Sequence, residues 1–164
     1  MWNGEAWRFR GEMVGEGNDT RIVFKALMGA LAGIGIGVGD AGERSRIVKD
    51  VLGGVTGPFA FVFYAGVGGR VLYGRDAVGR RSLMRSWMGD GEVWVASVSD
   101  GVVERGWEEV QTGGIYELDL KAAGTGMENF MPWGESIEVS YQSLLSNFRY
   151  PSTSSGMGRT LCLV

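Results

Sequence analysis

The sequence predicts an α+β fold in which helices pack on an antiparallel sheet. Two stretches with a helical spacing of apolar residues come first, and a series of short strand-like stretches separated by glycine turns follows them. Glycine accounts for 29 of the 164 residues, which fits a chain with many tight turns. A chain of this length is expected to fold as one domain.

Two helices are predicted in the first third of the chain. Apolar residues recur at intervals of three and four in TRIVFKALMGAL (20–31), and a second helix is predicted in ERSRIVKDVL (43–52). Asp19 and Thr20 are the candidate N-caps of the first helix. The apolar run 22–38 is interrupted by a lysine and several glycines, so a buried helix is favoured over a membrane span.

The strand-like stretches begin after Gly57-Pro58. FAFVFYA (59–65) and RVLYG (70–74) are predicted to form a hairpin because a glycine-rich turn joins them. Further strands are predicted in SLMRSWM (82–88), EVWVASVS (92–99), GGIYELDL (113–120) and MPWGESIEV (131–139). The segment RYPSTSSGMGRT (149–160) is rich in proline, serine and glycine, which is typical of a linker or a disordered tail.

Composition excludes several classes of function. The chain has no histidine and a single cysteine, Cys162, which argues against Ser-His-Asp and Cys-His catalysis and against a metal site. The net charge of -3 and the lack of a basic run argue against nucleic acid or an anionic membrane as partner. One cysteine allows no internal disulfide, so a reducing, cytoplasmic setting is expected. No cofactor is predicted.

Two glycine-containing motifs have structural and functional interpretations. GVGDAG (37–42) matches the G-x-G-x-x-G pattern, but the segment before it has helical spacing and the next strand does not end in an acidic residue. A loop between helices is therefore favoured over a dinucleotide site. In YGRDAVGRRSL (73–83), Asp76 is expected to accept backbone N–H groups, Gly79 to supply a positive φ, and an arginine to pair with Asp76; a phosphate patch is the alternative.

The opening WNGE (2–5) also has two interpretations. Asn3-Gly4 is a common hairpin turn signal; alternatively, the polar cluster belongs to a site whose remaining parts lie upstream. Glu5 and Asp19 are the candidate site carboxylates. From spacing alone, a solvated loop acid and a helix N-cap are the favoured interpretations of these two residues.

Together these stretches resemble the glutamine amidotransferase type 2 domain of asparagine synthetases. The resemblance rests on WNGE (2–5), EGNDTRIVFKAL (16–27), GPFAFVFY (57–64), LYGRDAVGRRSL (72–83), WVASVS (94–99), EEVQTGGIYELDL (108–120) and PW (132–133). It implies a domain over 1–133, followed by a linker or tail over 134–164. It also implies an N-terminal-nucleophile hydrolase fold, an αββα sandwich of two antiparallel sheets between helical layers.

The resemblance implies a role for each site residue. The Asn3 side-chain amide and the Gly4 N–H would form the oxyanion hole, Glu5 would line the glutamine pocket, and Asp19 would hold the α-ammonium group of the substrate. Glutamine is the implied substrate, and a synthetase domain is the implied partner within the same protein. The GRDxxGRR motif is mainly scaffold in this family. The fold is expected to bring Glu5 and Asp19 to one concave site beside Asn3.

The chain departs from the family pattern in three respects. In the family, the cysteine nucleophile with its strand and the arginine that binds the substrate carboxylate precede WNGE, and this sequence contains neither of them before WNGE. The S-G-G-x-D-S loop of a synthetase domain is also not found in the sequence. We therefore expect an N-terminally truncated glutaminase domain, inactive by itself. The alternatives are a non-catalytic interaction or regulatory domain on the same scaffold and, on GVGDAG alone, a nucleotide-binding domain.

Overall fold

A computed structural model of the chain describes residues 1–15, 17–32, 41–66, 69–88, 92–121, 128–134 and 161–163. Its two α-helices are α1 (Asp19–Ala32) and α2 (Ala41–Gly53). Its strands are β1 (Trp2–Gly4), β2 (Arg8–Phe9), β3 (Glu12–Met13), β4 (Val55–Thr56), β5 (Phe59–Ala65), β6 (Arg70–Arg75), β7 (Met84–Trp87), β8 (Val93–Ala96), β9 (Glu108–Glu109), β10 (Gly114–Asp119), β11 (Glu128–Pro132) and β12 (Leu161–Leu163).

The strands form two main sheets and one small one. The first sheet has the order β1-β5-β6-β10-β11, and all its neighbours are antiparallel. The second has the order β12-β8-β7-β9, in which only β12 runs parallel to its neighbour. A three-stranded sheet, β3-β2-β4, lies beside the end of α2.

Two hydrophobic clusters define the layers. The first joins the helices to one face of the first sheet; its fully or largely buried members are Ala6, Val23, Leu27, Val48, Val51, Leu52, Phe59, Phe61, Leu72 and Ile115. The second fills the space between the two main sheets, with Ala60, Val62, Val71, Tyr73, Leu83, Val93, Val95, Val110, Tyr116 and Leu118. The described residues thus form helix, sheet and sheet layers, three of the four layers expected.

Most predicted elements are present. Both helices and the β5–β6 hairpin are confirmed, and β7, β8 and β10 lie within the stretches predicted as strands. The last strand of the first sheet was placed too late in the chain, because β11 ends at Pro132 and the prediction began at Met131. Most of the predicted tail lies outside the described residues, but Leu161–Leu163 form β12 against β8.

The N-cap prediction for α1 was wrong by one residue. The Asn18 side-chain oxygen accepts the Arg21 N–H at 3.1 Å, which is the capping bond, so Asn18 occupies the N-cap position. Asp19 is consequently free to bond elsewhere. The GVGDAG motif falls mostly outside the described residues; α1 precedes it, as a helix rather than the strand that a dinucleotide site requires.

The turn after β6 carries the chain from the first sheet to the second, and Asp76 organises it. Its carboxylate accepts N–H groups from Phe59 (3.1 Å), Val78 (3.1 Å), Gly79 (3.2 Å) and Arg80 (3.1 Å), and it pairs with the Arg80 side chain at 3.2 Å. Gly79 has a φ of 75°. The structural interpretation of GRDxxGRR is confirmed in detail.

Candidate functional site

Of the two interpretations of Asn3-Gly4, the hairpin turn is wrong, because both residues lie in strand β1. This strand is at the edge of the first sheet and pairs with β5 in the register Trp2↔Phe61, Asn3↔Ala60. Local sequence favoured a turn, but pairing with β5 over about sixty residues of chain overrides that preference.

The register determines which backbone groups of β1 are unpaired. Met1 and Val62 exchange two hydrogen bonds, of 2.7 and 3.0 Å, and such pairs alternate along an antiparallel ladder. Asn3 therefore directs its N–H and C=O toward Ala60, whereas the Gly4 N–H points away from β5. Within the described chain, the Gly4 N–H faces the open edge of the sheet.

Gly4 is required by the close approach of two backbones. A Cβ at this position would lie 2.3 Å from the Pro58 oxygen and 2.6 Å from the Phe59 Cα. Both atoms belong to backbone, which cannot move aside at low cost. The N–H of Gly4 is therefore held in a fixed position relative to β5.

Along β1 and the residue that follows it, the side chains of Asn3 and Glu5 lie on one face of the sheet and that of Trp2 on the other. Alternation places Asn3 on the face of the second sheet, since Trp2 stacks on Phe59 in the helix-side cluster. The Glu5 carboxylate pairs with Arg81 at 3.1 Å and accepts the Trp7 indole N–H at 3.2 Å. The Glu5 side chain is 62% exposed, so this ion pair stabilises the fold little.

Asp19 reaches β1 from the helix side. Its Oδ2 accepts the Ala6 N–H at 2.9 Å and the Trp2 indole N–H at 3.3 Å, and its Oδ1 accepts the Thr20 N–H at 2.6 Å. The start of α1 is thereby bonded to Trp2, the first residue of WNGE, and to Ala6, which follows the motif. The contacts bring Asp19 to the same short segment as Asn3 and Gly4, whereas Glu5 is engaged with Arg81.

Two clefts of the described structure are lined by other residues. One of about 210 Å³ runs between α1 and the ends of β1 and β5, and its walls include Trp2, Thr20, Phe24 and Tyr64. Another of about 310 Å³ lies beside Arg75. None of Asn3, Gly4, Glu5 and Asp19 lines either cleft, so a single concave site that contains them stays a prediction. No group of three potential metal-ligating side chains occurs in the described ranges.

Sequence reasoning did not identify the partners of the buried Arg75 and of the partly buried Glu128. Arg75 donates to the carbonyls of Arg81, Gly79 and Val110 and pairs with Glu109 at 2.7 Å. Glu128 accepts the Tyr73 hydroxyl, and burial raises its pKa to about 8. For both Arg75 and Glu128, the only sequence signal is a charged residue next to an aromatic strand. That signal does not show which residue the charged group contacts.

Comparison with known proteins gives relatives but no matching family model. Asparagine synthetase domain-containing protein 1 of Bos taurus is 30% identical over 141 residues, covering 81% of this chain and 20% of the relative. That of Gallus gallus is 31% identical over 140 residues, covering 81% and 20%. The chain is homologous to asparagine synthetase domain-containing protein 1. An asparagine synthetase domain-containing protein of Saccharomyces cerevisiae is 31% identical over 94 residues.

The fold is also similar to a solved structure. The glutamine phosphoribosylpyrophosphate amidotransferase of B. subtilis superposes with a TM-score of 0.53 at 16% identity, over 84% of this chain and 29% of that chain. This confirms the predicted α+β fold of the N-terminal-nucleophile glutamine amidotransferases. The chain spans about a fifth of the length of its asparagine synthetase-like relatives. The described residues contain no helix long and apolar enough to cross a membrane.

Proposed function

We propose that this chain is part of the glutaminase domain of an asparagine synthetase-like protein, the domain that releases ammonia from glutamine for asparagine formation. In this proposal residues upstream of Met1 supply the nucleophilic cysteine and the carboxylate-binding arginine, and a synthetase domain elsewhere in the protein uses the ammonia. The 164 residues alone are then inactive. The single cysteine is the basis for proposing a cytoplasmic setting.

The observation that carries the proposal is the direction of the Gly4 N–H. A thiolate that attacks the side-chain amide carbon of glutamine pushes the carbonyl electrons onto oxygen, and this oxyanion needs fixed donors. The Gly4 N–H faces the open edge of β1, and the side chain of the preceding residue, Asn3, lies on the face toward the second sheet. When the tetrahedral intermediate collapses, the C–N bond breaks and the nitrogen takes up the proton that the thiol released, so it leaves as ammonia. Water then hydrolyses the thioester to glutamate and regenerates the thiol.

Asp19 supplies the negative charge for the substrate's α-ammonium group. Its Oδ2 accepts the Trp2 indole N–H and the Ala6 N–H, and its Oδ1 accepts the Thr20 N–H, so uncharged donors orient the carboxylate. Glu5 is assigned to the pocket wall. Its ion pair with Arg81 is exposed and opens at small cost when a ligand needs the carboxylate.

The test uses the coding sequence extended upstream to include the cysteine. We expect this protein to release ammonia and glutamate from L-glutamine. Asn3→Ala should lower kcat by about 10²-fold or more, the usual effect of removing one oxyanion donor. Asn129→Ala is the matched control, since Asn129 is exposed on the opposite edge strand β11. Equal activity of the two variants, or an extended protein with its cysteine but no glutaminase activity, would contradict the proposal.

A non-catalytic interaction domain is the second candidate, and the exposed apolar residues of α1 and β5 favour it. Phe24, Met28 and Tyr64 are 53%, 46% and 55% exposed, and the first and last line the cleft of about 210 Å³. Upstream sequence without a cysteine would select this candidate. A cysteine upstream together with glutaminase activity would remove it.

A further inference from the structure

Three aromatic side chains, those of Trp2, Phe59 and Trp133, form a column on the helix-facing side of the first sheet. The Trp2 ring stacks on Phe59 with centroids 5.1 Å apart and planes 13° apart, and Trp133 packs edge-on against Phe59 at 6.1 Å. The three rings come from β1, β5 and the residue after β11, so the column crosses elements that are distant in sequence. Stacked and edge-to-face pairs at these distances are favourable beyond their buried area.

The far end of the column is anchored to the backbone. The Trp133 N–H donates to the Gly113 carbonyl at 2.7 Å, and its indole N–H donates to the Arg75 carbonyl at 3.1 Å. Arg75 is itself held by three carbonyl acceptors, as described above. The position of Phe59, and through it that of Trp2, is therefore fixed from the centre of the sheet.

The near end of the column meets Asp19. The Trp2 indole N–H and the Ala6 N–H both donate to Asp19 Oδ2, at 3.3 and 2.9 Å. An indole N–H is a donor only and bears no charge, so it orients a carboxylate without neutralising it. The ring is rigid once stacked, so little rotamer entropy is lost in holding the carboxylate.

We propose that Trp2 is a positioning residue for substrate recognition: it orients the Asp19 carboxylate toward the α-ammonium group of glutamine. This inference rests on the proposed function. Trp133 supports Trp2 through Phe59. Trp2 itself does not touch the reacting amide, so its loss should affect recognition of the ammonium group rather than the chemical step.

The kinetic test uses the extended, cysteine-bearing protein. Trp2→Phe keeps the stacked ring and removes the N–H, so KM for L-glutamine should rise about tenfold while kcat changes by less than about twofold. The slow hydrolysis of 4-carbamoylbutanoate, glutamine without its amino group, should be unchanged. Trp133→Phe should produce a smaller change of the same kind.

Trp107→Phe is the matched control. The Trp107 indole N–H also donates to an aspartate, Asp100, at 2.8 Å, but in an exposed loop of the second sheet. If Trp2→Phe and Trp107→Phe give the same KM in an active enzyme, the inference is overturned and the proposed function stands. The inference is also overturned if Trp2→Phe weakens the analogue as much as glutamine, because Trp2 then supports only the fold.

A measurement without catalysis separates the two failures. In the 164-residue chain, hydrogen exchange of the Ala6 amide reports how firmly Asp19 is held. We expect its protection to fall at least about fivefold in Trp2→Phe and to be unchanged in Trp107→Phe. Unchanged protection in Trp2→Phe overturns the inference whatever the enzyme does. If protection of the Ala6 amide falls in Trp2→Phe but the extended protein has no glutaminase activity, the proposed function and the substrate role of Trp2 are both wrong. The Trp2–Asp19 hydrogen bond then only stabilises the fold.

Discussion

Arg85 and Glu128 meet between the two main sheets, with Arg85 Nη1 2.5 Å from Glu128 Oε2. The same guanidinium holds Glu108 through Nε at 2.6 Å and lies 4.8 Å from the centre of the Tyr116 ring. The Tyr73 hydroxyl contacts both Arg85 and Glu128. One cation thus faces two carboxyl groups, of which that of Glu128 is the more buried.

Glu128 should make stability depend on pH in the direction opposite to most acidic residues. Burial raises its pKa from 4.5 to about 8, so the folded protein keeps a proton that the unfolded chain has lost. The stabilisation is complete below about pH 4.5 and is lost as pH rises through about 8. Urea midpoints from pH 5 to 9 should fall more steeply for the wild type than for Glu128→Gln.

Glu12→Gln is the control for that comparison, because Glu12 is an exposed residue of β3. Its profile should follow the wild type. A constant difference between wild type and Glu128→Gln across the range would show that Glu128 titrates as an ordinary carboxyl in the folded protein.

Gly4→Ala should destabilise the fold. The added methyl group would meet the Pro58 oxygen at 2.3 Å, and separating β1 from β5 should cost about 1–3 kcal/mol in the free energy of unfolding. Gly29→Ala provides the control, since nothing lies within 4 Å of its new Cβ in α1. That change should stabilise by about 0.5–1 kcal/mol. Chemical denaturation measures the free energy of unfolding of both variants. If Gly4→Ala and Gly29→Ala change it equally, the backbones of β1 and β5 do not approach as closely as described.

Asp76→Asn should weaken the turn that joins the sheets. Burial acts to raise the pKa of Asp76, but the N–H donors of Phe59, Val78 and Arg80 and the Arg80 side chain outweigh it, so the pKa is lowered. The stabilisation is present above the usual value of 3.8 and is lost as pH falls through the lower folded value.

At pH 7 the Asp76→Asn variant should lose about 1.5–3 kcal/mol, the usual value for hydrogen bonds to a charged group. The difference between the free energies of unfolding of the variant and the wild type should become smaller at acidic pH. Asp50→Asn, an exposed change on α2, should have little effect at any pH. A gap that widens below pH 4 would contradict the assignment.

Arg75→Lys should destabilise although the charge is kept. The guanidinium of Arg75 reaches three carbonyls in different directions from a nearly buried position, and an ammonium group cannot satisfy that geometry. We expect a loss of about 1–3 kcal/mol. Arg46→Lys, on the exposed side of α2, should be close to neutral in the same thermal or urea melt.

Local patterns were sufficient to predict the helices and most strands. The apolar period around Val23 and Leu27 and the run Phe59–Ala65 depend on neighbours in the chain. The Asp76 turn was also predictable, because its donors lie within four residues, apart from Phe59. Strand β1 was not predictable from local patterns, because Asn3-Gly4 is a turn signal in isolation. Its strand conformation depends on pairing with β5.

The candidate site depends even more on distant contacts. Nothing local to Asp19 indicates that Trp2 and Ala6 will bond to it, and capping by Asn18 is what leaves its carboxylate available. Glu128 is likewise unremarkable in sequence, because its environment is made by Tyr73 and Arg85, 55 and 43 residues away. The resemblance supplied the roles of Asn3 and Gly4, which neither periodicity nor spacing provides.

Strand β12 has a practical consequence for expressing this domain. It runs alongside β8 at the edge of the second sheet, with Leu161–Leu163 opposite Val93–Val95. A protein ended at residue 133, the boundary that the sequence suggests, would leave β8 with an uncovered row of backbone N–H and C=O groups. Such an edge recruits strands from other molecules. A shortened version should therefore self-associate and precipitate more readily than the 164-residue form.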